Sequence, residues 1–360
     1  MSKKKVLVAM SGGVDSSVAC ALLKEKGYDI TGVTMKIWDG EACVDSAEYS
    51  DSCYGPGELR NIEDAKKVAA FLGFPLIVLD LSKEFKDVIL GYVKDEYLSG
   101  RTPNPCVLCN RMIKLGVLFD KAIKKGFTFD YMATGHYVRN QYDEQTQRYL
   151  LLRAKDKKKD QSYFLYSLSQ KQISKCLFPL GSYTKTKIKQ IAKEIDLPVK
   201  EKKSSQDFFA GDISSLFEGE EKEGKILDKE GNILGEHKGI QYYTIGQRRC
   251  LGVAGGSPLY VIEIDKETNS IILGERDDLF EDELYAHKLN WVSIEKLKGE
   301  LDVKAKIRYR HTEAAATISP YEDDSVIVKF KEPQSAITPG QAVVFYQGDV
   351  LVGGGTITKK

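Results

Sequence analysis

The sequence predicts an α/β chain: a doubly wound parallel sheet, then a small central domain and a C-terminal β-barrel. Three observations carry that reading. Short apolar runs alternate with helical stretches over the first 135 residues, the pattern of successive βα units. A Gly-containing turn directly follows the first apolar run and opens a helix. From about His287 onward the chain reads as short strands with turn signals between them, which fits a small barrel.

The elements follow in order. Lys5–Met10 (KVLVAM) is a buried first strand, and the stretch around Ser16–Glu25 is helical. Ile30–Ile37 is a second strand, Asn61–Leu72 a helix and Pro75–Leu79 a third strand. Phe85–Leu98 and Arg111–Lys124 read as helices, and Tyr131–Ala133 as a strand ending at Gly135. A parallel sheet of this kind binds its ligand at the carboxyl ends of its strands. Residues 165–200 read as helical, punctuated at Pro179–Gly181. Past Asp212 acidic and Gly-rich stretches (Glu218–Gly224, Asp228–Gly235) mark a change of character. Val303–Tyr309, Ala314–Ile318, Ser325–Phe330 and Ala342–Tyr346 are the expected barrel strands. The expected domains are residues 1–212, 213–284 and 285–360.

Composition narrows the function classes. Hydrophobic residues at 42% and charged residues at 29% exclude a disordered or collagen-like chain. No run approaches the roughly 18–20 apolar residues of a membrane span. The N-terminus has only six apolar residues before Ser11, too few for a signal peptide, so a cytoplasmic protein is expected. Seven cysteines, an odd number in a long chain, then read as thiols, metal ligands or catalysts rather than disulfides. A net charge of +1 does not exclude nucleic acid, because local patches decide that.

The sharpest motif is Ser11-Gly12-Gly13-Val14-Asp15-Ser16-Ser17, between a strand and a helix. Glycines let the backbone approach a phosphate, and the loop and helix N–H groups point at the anion. Ser11, Ser16 and Ser17 add hydroxyls. Asp15 is out of place in an anion cradle unless it holds Mg²⁺. The plain alternative is a strand–turn–helix with a Ser or Asp cap, but the full string is more specific. The GK[ST] ending of a Walker A loop is absent.

The second motif is Gly100-Arg101-Thr102-Pro103-Asn104-Pro105-Cys106-Val107-Leu108-Cys109-Asn110-Arg111. Two prolines stiffen a loop that runs into a helix. A helix N-terminus with Arg101 and Arg111 nearby is expected to favour the thiolate. The CxxC spacing also suits a soft metal or an iron–sulfur cluster. Structural zinc ranks lower, since Cys43 and Cys53 lack CxxC spacing. Plain burial of both cysteines is the remaining alternative.

Taken together, SGGVDSS, Met35-Lys36-Ile37-Trp38, GRTPNPCVLCNR, Ala133-Thr134-Gly135-His136-Tyr137, Lys159-Asp160-Gln161-Ser162-Tyr163-Phe164-Leu165, Phe178-Pro179-Leu180-Gly181 and Tyr243-Thr244-Ile245-Gly246-Gln247-Arg248 resemble the tRNA-specific 2-thiouridylase family from end to end. That family belongs to the ATP-pyrophosphatases with a PP-loop. The resemblance implies an ATP- and Mg²⁺-using enzyme that adenylates O2 of the wobble uridine (position 34) of tRNA and replaces the oxygen with sulfur. It implies a PP-loop domain, a small central domain and a C-terminal β-barrel. It places ATP against Ala9, Met10, Ser11, Gly12, Gly13, Val14, Asp15 and Ser16, with Met35 and Gly135 lining the adenosine. Asn104, Pro105 and Cys106 meet the target base, and Cys109 is the nucleophile. Contacts with tRNA fall on His136, on Lys159, Asp160, Gln161, Ser162 and Tyr163, on Arg308, Tyr309 and Arg310, and on Gln341.

The chain departs from the family in a linked pair of positions. Many members carry Ser-Gln-Asp-x-Cys, whose cysteine holds persulfide sulfur; here the string is Ser205-Gln206-Asp207-Phe208-Phe209. Many members have Asp where this chain has Cys106. A CxxC gained as a distal cysteine goes points to a [4Fe–4S] cluster held by Cys106, Cys109 and Cys53, with Cys43 the next candidate. A persulfide on Cys106 or Cys109, resolved by the other, is the competing mechanism. A sulfur donor is needed either way. Cys20 reads as core, and Cys176 and Cys250 receive no role.

Two basic stretches could meet RNA phosphates: residues 101–125, with six Arg/Lys against one Asp, and residues 153–160, with five against two. Tyr163 and Phe164 could stack on an extruded base. Lys306, Arg308 and Arg310 alternate as on one strand face. His136 is expected to line the site, not to act as a base. Two rivals remain: another PP-loop enzyme such as an amide-forming ligase, and a tRNA-binding paralogue that has lost catalysis.

Overall fold

The computed structural model describes residues 3–40, 52–202, 207–253 and 257–359. The chain divides into two compact units. One comprises residues 1–89, 106–213 and 349–351; the other comprises residues 90–105, 214–348 and 352–360.

The first unit is built on strands β1 (Lys5–Ala9), β2 (Asp29–Lys36), β3 (Ser52–Tyr54) and β4 (Leu76–Asp80), with helices α1 (Val14–Glu25), α2 (Glu58–Leu72) and α3 (Ser82–Phe85) between and after them. Strands β4, β2 and β1, with β5 (Tyr131–Thr134) and β8 (Cys176–Leu177), make one parallel sheet ordered β4-β2-β1-β5-β8. The order reverses at β1, so a crevice opens at the carboxyl ends of β1 and β5. β1 is buried on both faces, as Val6, Leu7 and Val8 show, which explains its unbroken apolar run. Helix α1 meets the sheet with Val14, Val18 and Leu22, a one-face repeat of four residues. Helix α2 stops at Gly73, whose φ of +69° gives the left-handed cap.

This unit holds one element that the sequence reading left unassigned, and one expectation for it fails. Residues 138–153 form an antiparallel hairpin, β6 (Val138–Asp143) with β7 (Arg148–Arg153), which the polar strand VRNQYD did not announce. Residues 165–200 are not continuously helical. They hold a short helix α7 (Gln170–Lys175), the sheet-edge strand β8, and helix α8 (Lys185–Glu194). Ser169 begins α7 with a reciprocal capping box to Gln172, and Phe178-Pro179 breaks the helical run before α8. Finally β9 (Asp207–Phe209) pairs in parallel with β3, Ser52 opposite Asp207 and Tyr54 opposite Phe209.

The helix carrying the cysteine motif runs from α5 (Pro105–Leu108) to α6 (Leu118–Lys124). Between them Cys109–Val117 widens to π-helical bonding, with Leu115 at φ −112°, ψ 15° marking a kink. Wide turns of this kind re-aim side chains and cluster at functional sites.

In the second unit helix α4 (Gly91–Leu98) leads into the proline-rich loop. Strands β10 (Gly224–Leu227), β11 (Ile233–His237), β12 (Tyr260–Asp265) and β13 (Ser270–Gly274) form a sheet ordered β11-β10-β13-β12. Ile226, Val261, Ile264, Ile271 and Leu273 form its core. Strands β14 (Phe280–Trp291), β15 (Leu301–Lys306), β16 (Ala314–Tyr321), β17 (Ser325–Ser335), β18 (Ala342–Gln347) and β19 (Val350–Thr358) come next. Their order is β14-β17-β16-β15-β18-β19, and β14 also pairs with β19, so six strands close a barrel. Alternate residues such as Val303 and Ala305, or Val326, Val328 and Phe330, fill it. The expected boundary between residues 284 and 285 falls inside β14.

Candidate functional site

The glycine-rich loop sits where the sheet order reverses. Gly12 has φ +69°, and a Cβ there would lie 2.0 Å from the Asn61 carbonyl oxygen, so no other residue fits. Gly135, at the end of β5, presses on the same loop: a Cβ would lie 2.8 Å from the Ser16 nitrogen. Gly13 caps α1 without a side chain, which leaves the first-turn N–H groups facing outward. Ser11 N–H donates to Ser16 Oγ at 3.2 Å, and the two hydroxyls lie 3.3 Å apart. Ser17 is a correction. It is fully buried and donates to the Gly13 carbonyl at 2.8 Å, so its hydroxyl is spent on the loop. Met10 and Val14 bury their side chains in the core and offer only backbone, while Ala9 and Met35 are part-buried at their strand ends.

Asp15 is not an open carboxylate. Lys185 Nζ donates to both its oxygens, at 2.7 and 2.6 Å, and Tyr137 OH donates to Oδ1 at 2.7 Å. Lys185 opens α8, and its own N–H donates to Asp156 at 2.9 Å. Burial and the Asp15 charge push the Tyr137 phenol well above its usual range, so it stays a donor. A second lysine, Lys202, donates to the Gly12 carbonyl at 3.1 Å, to Asn61 Oδ1 at 2.8 Å and to Asp64 at 2.6 Å. It pins the loop against α2. Sequence reading missed both lysines, since neither stands in a phosphate motif.

The cysteines lie in a different electrostatic setting from the one expected. Burial pushes the Cys106 thiol up to about 11 and the Cys109 thiol up to about 12. The cation that opposes burial is Lys114, not Arg101 or Arg111. Arg101 is committed to Glu96 through two bonds of 2.7 and 2.8 Å, and Arg111 is exposed. Lys114 feels Cys109, Cys53 and Cys106, which outweigh its desolvation and raise its own pKa. The signal for Lys114 was a lone lysine inside the apolar stretch MIKLGVLF. His136 belongs here too: burial, then Lys114, drive it down to about 3, so it is a neutral ring. Its Nδ1 lies 2.7 Å from Thr134 Oγ1.

Cys53, Cys106 and Cys109 are soft thiols, the donor chemistry that an iron–sulfur cluster takes. Among the described residues no three Cys, His, Asp or Glu side chains are already gathered as a metal-ligand group. Cys43, Ser205 and Gln206 lie outside the described residues. Phe209 is 8% exposed and stacks on Tyr54 at 5.4 Å, so the position that is cysteine elsewhere is packing here. Cys53 is exposed on the neighbouring strand β3. Cys20 is buried in the core under α1, and Cys176 is buried in β8.

The loop before the cysteines is held within the second unit. Gln341 donates its amide to the Thr102 carbonyl at 3.1 Å and to that of Pro103 at 2.8 Å. Thr102 N–H donates to the Pro339 carbonyl at 2.9 Å, and Asn104 N–H to Tyr92 OH at 3.4 Å.

Sequence relatives match this chain over nearly its whole length. Residues 4–210 match the tRNA methyl transferase HUP domain, residues 217–275 the tRNA methyl transferase PRC-barrel domain, and residues 281–357 the aminomethyltransferase beta-barrel domain. The chain is 51% identical to the tRNA-specific 2-thiouridylase MnmA 2 of Thermoanaerobacter sp. strain X514, over 99% of this chain and 98% of that one. It is 48% identical to the tRNA-specific 2-thiouridylase MnmA of Endomicrobium trichonymphae, over 99% of each. The chain belongs to the tRNA-specific 2-thiouridylase family. Among solved structures, a 4-thiouridine synthetase–RNA complex with bound ATP is 19% identical, over 60% of this chain and 49% of that one. Its TM-score of 0.35 is too low to bear on function.

Several residues expected to touch tRNA in this family have structural employment. Tyr163 is fully buried, edge-on to Phe164, so it is not free to stack on a base. Ser162 is buried and donates to Asp160 at 2.7 Å, while Asp160 also accepts from the Ala154 N–H. Gln161 and Tyr137 exchange two bonds, of 2.9 and 2.8 Å. Lys159 is exposed. Arg308, Tyr309 and Arg310 are not on a strand face, because β15 ends at Lys306 and the chain turns there. Arg308 reaches the carbonyls of Ala336 and Ser335 at 3.4 and 3.2 Å, and Lys306 lies over the Tyr309 ring. No helix among the described residues is long and apolar enough to cross a membrane.

Proposed function

We propose that this chain is an ATP-dependent tRNA uridine 2-sulfurtransferase acting on wobble position 34. The observation that carries the reading is the 51% identity to a tRNA-specific 2-thiouridylase along 99% of the chain. The phosphate loop and the cysteine motif lie within the matched residues. Uridine O2 attacks the α-phosphorus of Mg·ATP, the bond to the β-phosphate breaks and pyrophosphate leaves. Sulfur then adds at C2, and AMP leaves with the former O2. Ala9 to Ser16, Met35 and Gly135 hold the nucleotide, the loop N–H groups taking the phosphates. Asn104, Pro105 and Cys106 meet the base, and His136 contacts tRNA as a neutral ring. Lys159, Arg310 and Gln341 remain proposed tRNA contacts. Residues 1–212, 213–284 and 285–360 are the proposed domains.

The residues that would hold a [4Fe–4S] cluster are Cys53, Cys106 and Cys109, and the group would supply an open iron for sulfide. Lys114 offsets part of the burial that raises the Cys106 and Cys109 thiols. The second reading is a persulfide on Cys106 or Cys109. It is favoured by the lack of a gathered three-ligand group among the described residues. In the cluster reading the donor is sulfide; in the persulfide reading it is a protein persulfide, and the resolving thiol is left in a Cys106–Cys109 disulfide that an external dithiol reduces.

The test is incubation of the anaerobically purified protein with unmodified tRNA, Mg·ATP and sulfide. Expected are tRNA-dependent AMP and 2-thiouridine, read by mass spectrometry of digested nucleosides. AMP formed without tRNA would favour a small-molecule ligase. ATP binding with no AMP on any tRNA would favour an inactive paralogue.

A further inference from the structure

A carboxylate at an anion site needs an explanation. Asp15 is the second residue of α1, inside the phosphate loop, where the helix N-terminus and the loop N–H groups favour an incoming anion. A bare carboxylate there would repel each phosphate that approached it. The structure supplies its counter-charge. The Lys185 ammonium bonds both carboxylate oxygens, its side chain is only 13% exposed, and Tyr137 OH fills the remaining acceptor site on Oδ1. Lys185 is not free to wander, since its backbone is the first residue of α8. Its N–H is held by Asp156 and the helix is capped by Thr184.

We infer that Lys185 is a positioning residue for the nucleotide: it neutralises Asp15 so that the phosphate loop accepts ATP. The inference rests on the proposed use of ATP. It acts through Asp15, which gives it a signature that a direct phosphate contact or a packing role would lack. Removing the lysine harms binding only while the carboxylate remains.

Titration calorimetry with ATP in EDTA, so that no divalent cation masks Asp15, reads this directly. Lys185→Met should weaken ATP binding by about tenfold or more. Adding Asp15→Asn to Lys185→Met should restore it to within about threefold of wild type, and Lys185→Arg should bind as wild type does. Lys185→Met binding like wild type overturns the inference, and so does a double variant as weak as Lys185→Met. If Lys185→Met fails to fold by circular dichroism, the double variant decides: binding within about threefold of wild type supports the inference, and tenfold weakening overturns it. Wild type that binds ATP neither in EDTA nor with Mg²⁺ would instead sink the functional reading, and binding only with Mg²⁺ would overturn the inference, since the cation and not Lys185 would then be what lets the loop accept ATP.

Discussion

Lys202→Met is the perturbation whose size comes most directly from the geometry. Lys202 makes three hydrogen bonds, to Gly12 O, Asn61 Oδ1 and Asp64 Oδ2, and its side chain is 17% exposed against 13% for Asp64. Methionine keeps the stem and removes the ammonium. Breaking a largely buried pair from one side costs about 3–5 kcal/mol, because the partner is left uncompensated. Here the lower end applies. Asp64 keeps a second cation, Lys67 at 3.7 Å, although that lysine is 66% exposed and screened. About 3 kcal/mol remains, and it falls on the contact between the phosphate loop and α2. The chain has two compact units, so a single melting temperature would blur the effect. Amide hydrogen exchange is the better assay. Protection across residues 12–17 and 61–68 should fall by about a hundredfold, at roughly 1.4 kcal/mol per decade. Protection in β16 and β17 should stay. ATP affinity should fall as well, since the loop is no longer pre-shaped. Unchanged exchange in both loop and helix would refute the reasoning.

Glu58 offers a pH test. Burial raises its carboxyl above the ordinary 4.5, although it accepts from Ile37 N–H at 2.6 Å and Trp38 N–H at 3.0 Å. The folded state therefore holds this proton more tightly than the unfolded chain. Stability must then fall as pH rises from 4.5 through the raised value. The advantage of wild type over Glu58→Gln should narrow across that window in urea unfolding, and parallel pH slopes would count against it. Gln341→Ala should free the Thr102 and Pro103 carbonyls and raise the KM for tRNA with little change in ATP binding; an effect on ATP alone would contradict this. Anaerobic iron and acid-labile sulfide analysis should give about four of each per chain, lost in Cys106→Ala and in Cys53→Ala. Iron unchanged in Cys53→Ala would remove that residue as a ligand. Tyr163→Ala should unfold or destabilise the protein by about 3–5 kcal/mol, not merely weaken tRNA binding, since the ring is core.

Much of the sheet domain was legible because its strands are buried on both faces. KVLVAM could hardly be anything else, and the glycine loop after it needs glycine at Gly12 for a steric reason that holds in any context. The hairpin β6–β7 was not legible, because VRNQYD shows neither alternation nor an apolar run and owes its extended form to its partner strand. Charge runs misled in the same way. Lys157 reads as a phosphate ligand in sequence, yet it pairs with Asp349, which also takes Arg139 at 2.7 Å. Sequence neighbours could not show that Lys185 and Asp15, 170 positions apart, form one group.

The same distance effect bears on the missing cysteine. The distal motif lies on β9, which runs beside β3 with its residues in register. In a parallel pair, side chains at neighbouring positions of adjacent strands share a face. Tyr54 and Phe209 take one face and stack. Cys53, between Ser52 and Tyr54, takes the other, and its sulfur feels Lys114, as do those of Cys106 and Cys109. A thiol at position 209 would therefore stand on the face opposite Cys53, and that position is instead aromatic packing with Tyr54, which stacks on Phe85. Phe209 and Cys53 are thus not interchangeable sites for a thiol. Moving the thiol back, by Cys53→Ala with Phe209→Cys, tests it through iron content and tRNA thiolation. Phe209 faces the core, so the swap should restore neither unless the strand turns over. Full recovery of both would show that the two faces are not distinct and that the register argument is wrong.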